Sequence, residues 1–314
     1  MLKFLHELND FADLISVVAD RHGVDPVLVE KDYWIMHCLW GLQNLGLQFE
    51  LKGGTSLSKG FGVIHRFSED IDIRIEPPLG MKVKTGRNQD KTAHIESRRQ
   101  FYEWLSSTIK IDGILSVGRD TAFDDVKMRS AGIRLQYPSA LDSLSGVKEG
   151  VLLELGFDDT APNEAVQISS WTYELASQYG TKMRDNRALN VLCYAPTYTF
   201  VEKLQTISTK YRLLQGASSF PNNFLRHYYD VYCLLDLLTV REFIGTDLYE
   251  KRKMQRFRAG DNLILVKNPA FTLTDTVERE RFVFEYKKTA ALYYKGQPSF
   301  ENILARIALY LERM

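Results

Sequence analysis

The stretch RFSEDIDIRIE, residues 66–76, constrains the fold most strongly, because acidic and apolar residues alternate along it. Side chains on a β-strand point to opposite faces with a period of two residues. A strand here would bury its isoleucines on one face and project Asp70 and Asp72 side by side from the other. Two carboxylates this close repel each other unless a positive charge lies between them. A divalent ion such as Mg²⁺ can supply that charge, whereas a strand face in contact with solvent needs no ion.

The segment LKGGTSLSKG precedes this strand, and its paired glycines predict a tight turn between a strand and a short helix. Backbone amides at such a turn point outward and bind anions. We therefore predict phosphate binding at Gly53 and Gly54, with the hydroxyls of Thr55 and Ser56 as further donors. Ser68 is a candidate for donating to a phosphate or orienting the first aspartate, or it forms a turn. The spacing matches neither a P-loop nor a dinucleotide fingerprint.

The periodicity changes near Pro196 and divides the chain into two halves. Before it, SAGIRLQYPS and GVLLELGFDD alternate as strands, with LDSLSGVKEG as a hairpin-like turn between them. After it, TYTFVEKLQTISTKYRLLQ has the period of a helix. We predict an α+β chain, with N-terminal helices and a mixed-sheet catalytic domain in residues 1–195 and an α-helical domain in residues 196–314.

Charge composition excludes a protein that is basic overall, since Lys plus Arg and Asp plus Glu both number 40. Any nucleic-acid surface must be local. Residues 81–100 predict a basic mobile loop leading into a helix, and the run EKRKMQRFRAG at 250–260 is a second basic segment; both can equally be solvated surface. The candidate phosphate contacts in the loop and the start of its helix are Lys82, Lys84, Arg87, Lys91, Arg98 and Arg99.

The three cysteines lie far apart without a CxxC pair, which supports neither a disulfide framework nor a zinc site and fits the reducing cytoplasm. No segment approaches the roughly 18 consecutive apolar residues that a membrane helix needs. We therefore expect a cytoplasmic protein with no membrane partner.

The GGTSLSK turn followed by RFSEDIDI resembles the first motif of nucleotidyltransferases of the polymerase-beta superfold, and specifically of the AbiEii/AbiGii abortive-infection toxin family. Further along the chain, Glu154 in VLLELGF matches the acidic residue of that family's later strand. VEKLQTISTK is similar to its lysine-bearing helix at Lys203, and RHYYDVYCLL to its RxxxD helix. The resemblance covers most of the chain.

This resemblance implies a polymerase-beta-like catalytic domain that transfers NMP from an NTP with two Mg²⁺ ions. Asp70, Asp72 and Glu154 would bind the metal and, with Lys203 and Asp230, would form the catalytic set. The acceptor would be RNA, with a tRNA 3′ end favoured, and a cognate antitoxin would be encoded beside the toxin. A half-exposed strand position without a metal remains the alternative for Glu154.

Charged residues on the helices of the second half are candidates for binding the nucleotide. Lys203 and Lys210, seven residues apart, lie on nearly one helix face, where a lysine can contact the β- and γ-phosphates; most helix lysines are only solvated. Arg226 and Asp230 are spaced for an i,i+4 ion pair. Asp230 also borders an apolar run, so it needs a partner, either Lys203 or the ribose or base of the nucleotide.

Two rival functions remain open. One is transfer of NMP to a protein hydroxyl, as in other members of the superfold. The other is a nucleotide-binding regulator without catalysis, against which the retention of all three acidic positions argues.

Overall fold

The computed structural model of the protein describes residues 2–141, 149–215, 220–221 and 223–314. The backbone folds into two compact units. The first comprises Met1–Phe61 and Ser68–Tyr194, and the second comprises Gly62–Phe67 and Ala195–Met314. The short segment Gly62–Phe67 therefore belongs with the C-terminal half of the chain, although it directly precedes the acidic strand. Most of the predicted turn LDSLSGVKEG lies outside the described residues.

The first unit combines helices with a sheet. Its helices are α1 (Phe11–His22), α2 (Pro26–Asn44), α3 (Gly53–Thr55), α4 (Thr92–Thr108) and α5 (Trp171–Gln178). Its strands are β1 (Phe49–Lys52), β2 (Asp70–Ile75), β3 (Ser116–Asp120), β4 (Ser130–Gln136), β5 (Val151–Gly156), β6 (Asn163–Ile168) and β7 (Ala188–Tyr194). A π-helical turn, Ser56–Gly60, follows α3 directly.

The strands form one mixed sheet in the order β3-β4-β5-β2-β1-β7-β6. β2 lies in the middle, parallel to β5 on one side and antiparallel to β1 on the other. Central strands with parallel neighbours are covered on both faces and read as apolar runs. In β5 every residue is buried except the half-buried Glu154. A polar residue at such a position stands out against its apolar surroundings.

Local signals in the sequence mark the start of α2. Asp25 is the N-cap, its carboxylate accepts a hydrogen bond from the Val27 amide, and Pro26 is the first helical residue. The helix after the paired glycines begins at Gly53 itself and continues as the π-helical turn. α4 begins at Thr92, within the segment 81–100 that the sequence predicts as a loop leading into a helix.

The second unit is helical. Its helices are α6 (Pro196–Leu214), α7 (Arg226–Leu234), α8 (Leu238–Phe243), α9 (Asp247–Arg256), α10 (Pro269–Thr272), α11 (Thr276–Lys287) and α12 (Phe300–Ala308). α6 confirms the helical period of its sequence and buries one apolar face, formed by Leu204, Ile207, Tyr211 and Leu214. The predicted α+β class, a mixed sheet followed by helices, is confirmed. Within the described parts of the chain, no helix is long and apolar enough to span a membrane.

Candidate active site

β2 presents the acidic face that the alternating pattern predicted. Each of its three isoleucines is at most 1% exposed. Asp70 is buried, with 8% of its surface exposed, and Asp72 is half-buried. The two carboxylates therefore share one face of a central strand and are partly screened from water, unlike a pair on a solvated outer face.

The carboxylate of Asp72 lies directly against the glycine turn. Gly53 has a φ of +73°, a left-handed conformation that glycine adopts without steric cost. A Cβ placed on Gly53 would come within 2.1 Å of Asp72 Oδ2. Glycine is thus required here twice, for the backbone conformation and for the space that Asp72 occupies. The turn and the acidic strand meet at one place.

The two hydroxyls after the glycines face the protein interior. Thr55 is 1% exposed, and its Oγ1 donates to the carbonyl oxygen of Asp70 at 2.6 Å. Ser56 is completely buried beside Cys193, whose thiol pKa is raised to about 12 by burial. The Thr55 hydroxyl therefore ties the turn to the start of β2, and its one proton is already used there. Ser68 is half-buried in the loop before β2.

Glu154 lies beside Asp72 on the neighbouring strand. The parallel pairing of β2 and β5 places the two residues at matched positions. Matched residues of paired strands project from the same face. On the other side of β2, Lys52 of β1 is matched with Asp72. Asp72 therefore has an acidic neighbour on one strand and a basic neighbour on the other.

These carboxylates suit a metal ion that the nucleotide helps to hold. No group of three His, Cys, Asp or Glu side chains forms a ready-made metal cluster in the described part of the chain. Mg²⁺ does not require one, because it is commonly bound by one or two carboxylates together with substrate phosphates and water. Asp70 and Asp72 supply such a pair next to the Gly53 turn.

In the second unit, a buried arginine and a buried lysine share one carboxylate. Arg66 Nε and Nη2 donate to Asp230 Oδ1 and Oδ2, each at 2.7 Å. Lys203 Nζ lies 2.9 Å from Asp230 Oδ2. Asp230 is 0% exposed and Lys203 is 8% exposed. Of the partners expected for Asp230, Lys203 is the one that the structure shows, and a second cation, Arg66, joins it.

The charge of Asp230 is fixed by these partners. Burial alone would raise the pKa of its carboxyl, but the charges and hydrogen bonds of Arg66 and Lys203 outweigh burial and leave that pKa below its usual value. Two cations against one carboxylate leave a net positive charge in a buried place. Such a charge attracts an anion.

His227 marks the centre of a larger cationic cluster. Burial, together with the charges of Lys203, Lys210, Arg226 and Arg66, lowers the pKa of His227 well below its usual value, so the ring stays neutral. Its Nε2 lies 3.4 Å from Lys210 Nζ and accepts from it. The other ring nitrogen, Nδ1, is buried and has no hydrogen-bond partner among the described residues. The cluster thus combines four cations with one ring N–H donor, on His227, that has no partner among the described residues.

Comparison with known proteins decides the family. A family profile described as "Nucleotidyl transferase AbiEii toxin, Type IV TA system" matches residues 34–306, which is most of the chain. The chain belongs to the AbiEii nucleotidyltransferase toxin family. The resemblance seen in the sequence is confirmed, and the protein is a nucleotidyltransferase of a toxin–antitoxin system. Membership of this AbiEii family implies a nucleotide substrate and an antitoxin partner.

A solved structure similar to the AbiEii chain is the crystal structure of an antigenic nucleotidyltransferase-like protein from Paracoccidioides brasiliensis. It is 11% identical, and the match covers 88% of this chain and 93% of that chain with a TM-score of 0.31. No curated protein matches the chain.

The basic loop of this AbiEii member is tied down by backbone contacts. Arg98, a predicted phosphate contact, is 0% exposed and donates to the backbone carbonyls of Lys84, Gln89 and Lys127. It therefore cannot contact RNA, and the expectation for Arg98 is wrong. The loop is fastened to α4 instead of moving freely. The cations left exposed are Lys82, Lys84, Arg87, Lys91 and Arg99.

The second basic run is largely consumed by internal pairs. Arg252 and Arg256 both bind Glu202, at 3.0 and 2.6 Å. Lys253 is buried and pairs with Glu250 at 3.0 Å. Most of the run therefore stabilises packing of α9 against α6 and offers few charges to a nucleic acid. Sequence reasoning missed these pairs because Glu202 lies outside the run, and Glu250, inside it, was taken as part of a solvated surface.

Sequence reasoning also missed Arg66 and His227. Arg66 was read only as part of the acidic motif, although its partner Asp230 lies 164 residues away in the chain. His227 belongs to no metal-ligand pattern, since the six histidines form none. The one available signal was position: His227 lies inside RHYYD, and Arg66 lies two residues before SEDID.

Proposed function

We propose that the chain is a Mg²⁺-dependent nucleotidyltransferase toxin that transfers NMP from an NTP to an RNA acceptor, with a tRNA 3′ end favoured, and releases pyrophosphate. One observation supports this most: the carboxylate of Asp72, on the acidic face of β2, lies against the Gly53 turn. An acidic pair beside a backbone turn is what a metal-bound triphosphate requires. NTPs and tRNA are both cytoplasmic, so the reaction belongs there.

In the proposed reaction, an acceptor hydroxyl oxygen bonds to the α-phosphorus and the bond to the bridging oxygen of the β-phosphate breaks. Asp70 and Asp72 would hold Mg²⁺, with Glu154 as the third acidic residue. Mg²⁺ bound there would supply positive charge against the negative charge that develops during transfer. In this proposal Glu154, which is matched with Asp72 on the paired strand, favours deprotonation of the acceptor hydroxyl.

The triphosphate is assigned to backbone amides and to cations. In this proposal, the amides of Gly53 and Gly54 and the Ser68 hydroxyl bind phosphate oxygens. Lys203 and Arg226 bind them as cations, with Lys210 as an accessory. Asp230 orients Lys203 and does not contact the nucleotide, because its carboxylate already accepts three contacts from Arg66 and Lys203.

Thr55 and Ser56 are assigned a different part in nucleotide binding. Both side chains are buried, so they act on the nucleotide through the shape of the turn. For Thr55 the connection is a hydrogen bond, in which its Oγ1 donates to the carbonyl oxygen of Asp70 at 2.6 Å.

The proposed RNA surface is the exposed part of the loop at residues 82–91. It carries four exposed cations, Lys82, Lys84, Arg87 and Lys91. Among the described residues none of the four forms a salt bridge, so each can bind a phosphate without breaking an ion pair. Asp90, the loop's acidic residue, is already neutralised by Lys127 and Arg129. The loop therefore presents net positive charge.

Incubation of the protein with each α-labelled NTP, together with total RNA or with a protein extract, tests the proposal. We expect label in RNA that depends on Mg²⁺. A labelled protein band without labelled RNA would instead favour transfer to a protein hydroxyl. Absence of label from both would contradict catalysis and favour a nucleotide-binding regulator.

A further inference from the structure

α2 buries three consecutive charged residues. Glu30 is 0% exposed, Lys31 is 1% exposed and Asp32 is 3% exposed. Taking an ionised side chain out of water is costly unless a partner and hydrogen bonds compensate for it. Three in a row on one helix require three partners in the interior. The identity of those partners indicates what the helix does.

Lys31 and Asp32 pair with residues on the two sides of the candidate active site. Lys31 Nζ lies 3.6 Å from Glu69 Oε2, and Glu69 directly precedes Asp70 of the acidic strand. Asp32 Oδ1 lies 2.9 Å from Lys59 Nζ. Lys59 belongs to the π-helical turn that continues from the Gly53 turn.

Trp171 also holds the ion pair between Asp32 and Lys59 in place. Its Oδ2 also accepts a hydrogen bond from the Trp171 amide at 2.8 Å. The ammonium of Lys59 lies 4.7 Å from the centre of the Trp171 ring. Lys59 is therefore held both by the carboxylate and by the face of an aromatic ring, which leaves the π-helical turn little freedom to shift.

Glu30, the third buried charge of α2, binds residues outside the candidate site. Its two carboxylate oxygens accept from the Ser139 hydroxyl and from the Ala140 amide, each at 2.7 Å. Ser139 and Ala140 follow β4 and carry none of the proposed site residues. Glu30 is thus a buried charge of the same helix that does not reach the acidic strand or the glycine turn.

We propose that Lys31 and Asp32 are positioning residues that set the distance between the Gly53 turn and the carboxylates of β2. Adjacent residues of one 19-residue helix hold both parts, so a rigid element fixes their separation. The turn and Asp72 are already so close that a Cβ added at Gly53 would lie 2.1 Å from Asp72 Oδ2. The inference rests on the proposed function, in which Asp70 and Asp72 bind the metal.

The experiment measures Mn²⁺ binding to the protein by electron paramagnetic resonance in the presence of a non-hydrolysable NTP analogue, together with unfolding of the protein in denaturant. Variants are Lys31→Met, Glu69→Gln, the matched control Glu30→Gln, and Asp72→Asn. Loss of a residue that orients a metal ligand typically weakens metal binding by about 10- to 100-fold. We expect at least about a tenfold loss of Mn²⁺ affinity in Lys31→Met and Glu69→Gln, and none in Glu30→Gln, although all three are less stable.

Glu69→Gln is nearly isosteric with the native residue, so it provides the measurement if Lys31→Met does not fold. Wild-type Mn²⁺ affinity in both Lys31→Met and Glu69→Gln, with binding lost in Asp72→Asn, would overturn the positioning role and leave the metal site intact. Failure of the wild-type protein to bind Mn²⁺ at all would instead contradict the proposed metal site, and the positioning role with it.

Discussion

Asp72 Oδ2 occupies the space where any side chain at Gly53 would have to begin, because a Cβ there would lie 2.1 Å from it. Gly46 provides the contrast. It has nearly the same backbone conformation, φ +71° against +73°, but nothing lies within 4 Å of its missing Cβ. The two glycines separate the effect of backbone strain from the effect of moving Asp72.

Gly53→Ala should abolish nucleotide transfer and weaken Mn²⁺ binding, whereas Gly46→Ala should do neither. Both place alanine in the left-handed region and should lose roughly 1 kcal/mol of unfolding free energy or more. Transfer assays and Mn²⁺ titrations on both variants check this. Equal transfer activity in the two variants would show that the contact between Gly53 and Asp72 has no part in the site.

Asp230→Asn should destabilise the protein by about 3–5 kcal/mol, because it leaves the buried Arg66 and Lys203 without a counter-charge. The matched control is Asp236→Asn. Asp236 pairs with Arg306 at 2.8 Å but its side chain is 62% exposed, so its loss should cost about 0–1 kcal/mol. Denaturant unfolding of both variants measures the difference. Similar costs would mean that the buried cations are compensated in another way.

The buried face of β2 and the start of α2 were predictable because both depend on neighbours in sequence. Alternation with period two sets which side of β2 is buried, and Asp25 with Pro26 marks where α2 begins. The resemblance supplied the family, since the GGTS turn and the acidic strand are adjacent in the chain.

Other parts depend on residues far apart in sequence and carry no local signal. Arg66 meets Asp230 across 164 residues, and nothing in Gly62–Phe67 indicates that this segment belongs with the C-terminal half. The burial of Lys31 also could not be predicted from sequence, because charged helix residues are usually solvated. Arg98 was misread for the same reason, since a basic run gives no hint that one arginine turns inward.

His37 should make the protein less stable as the pH falls from about 6.5 towards 4. Burial lowers the pKa of this histidine to about 4, whereas the unfolded value is about 6.5. Its Nε2 lies 2.8 Å from the Asp112 carbonyl oxygen and its Nδ1 lies 3.1 Å from Asn186 Nδ2. A carbonyl oxygen only accepts, so Nε2 of His37 carries the proton and Nδ1 accepts from Asn186. This arrangement requires the neutral form of the imidazole ring.

Between these two pKa values the unfolded chain binds the proton and the folded chain does not, so stability is fully present above about pH 6.5 and declines by about 1.4 kcal/mol per pH unit below it. His37→Gln should remove this slope, a difference of about 3 kcal/mol between pH 7 and pH 4. Unfolding free energies of both proteins across that range provide the check. An unchanged slope in His37→Gln would assign the pH dependence to other groups.

Replacement of Lys82, Lys84, Arg87 and Lys91 by alanine should lower RNA affinity and flatten its dependence on salt, because each neutralised phosphate releases counterions. NTP binding should stay the same. A matched control removes four exposed cations of the second unit, Lys251, Arg258, Lys267 and Lys287, and so changes net charge equally. A salt slope that falls equally in both variants would exclude the loop as the specific RNA surface.

Nucleotide transfer with α-labelled and γ-labelled NTP, by the wild-type protein and by Asp72→Asn, tests the central claim most directly. Asn keeps the shape of the half-buried Asp72 but removes its charge, so the fold should persist, as unfolding in denaturant would verify. We predict that the wild-type protein attaches the α-label to RNA and releases the γ-label as pyrophosphate, and that Asp72→Asn does neither. Attachment of the γ-label, or α-labelling by Asp72→Asn at the wild-type rate, would contradict the account.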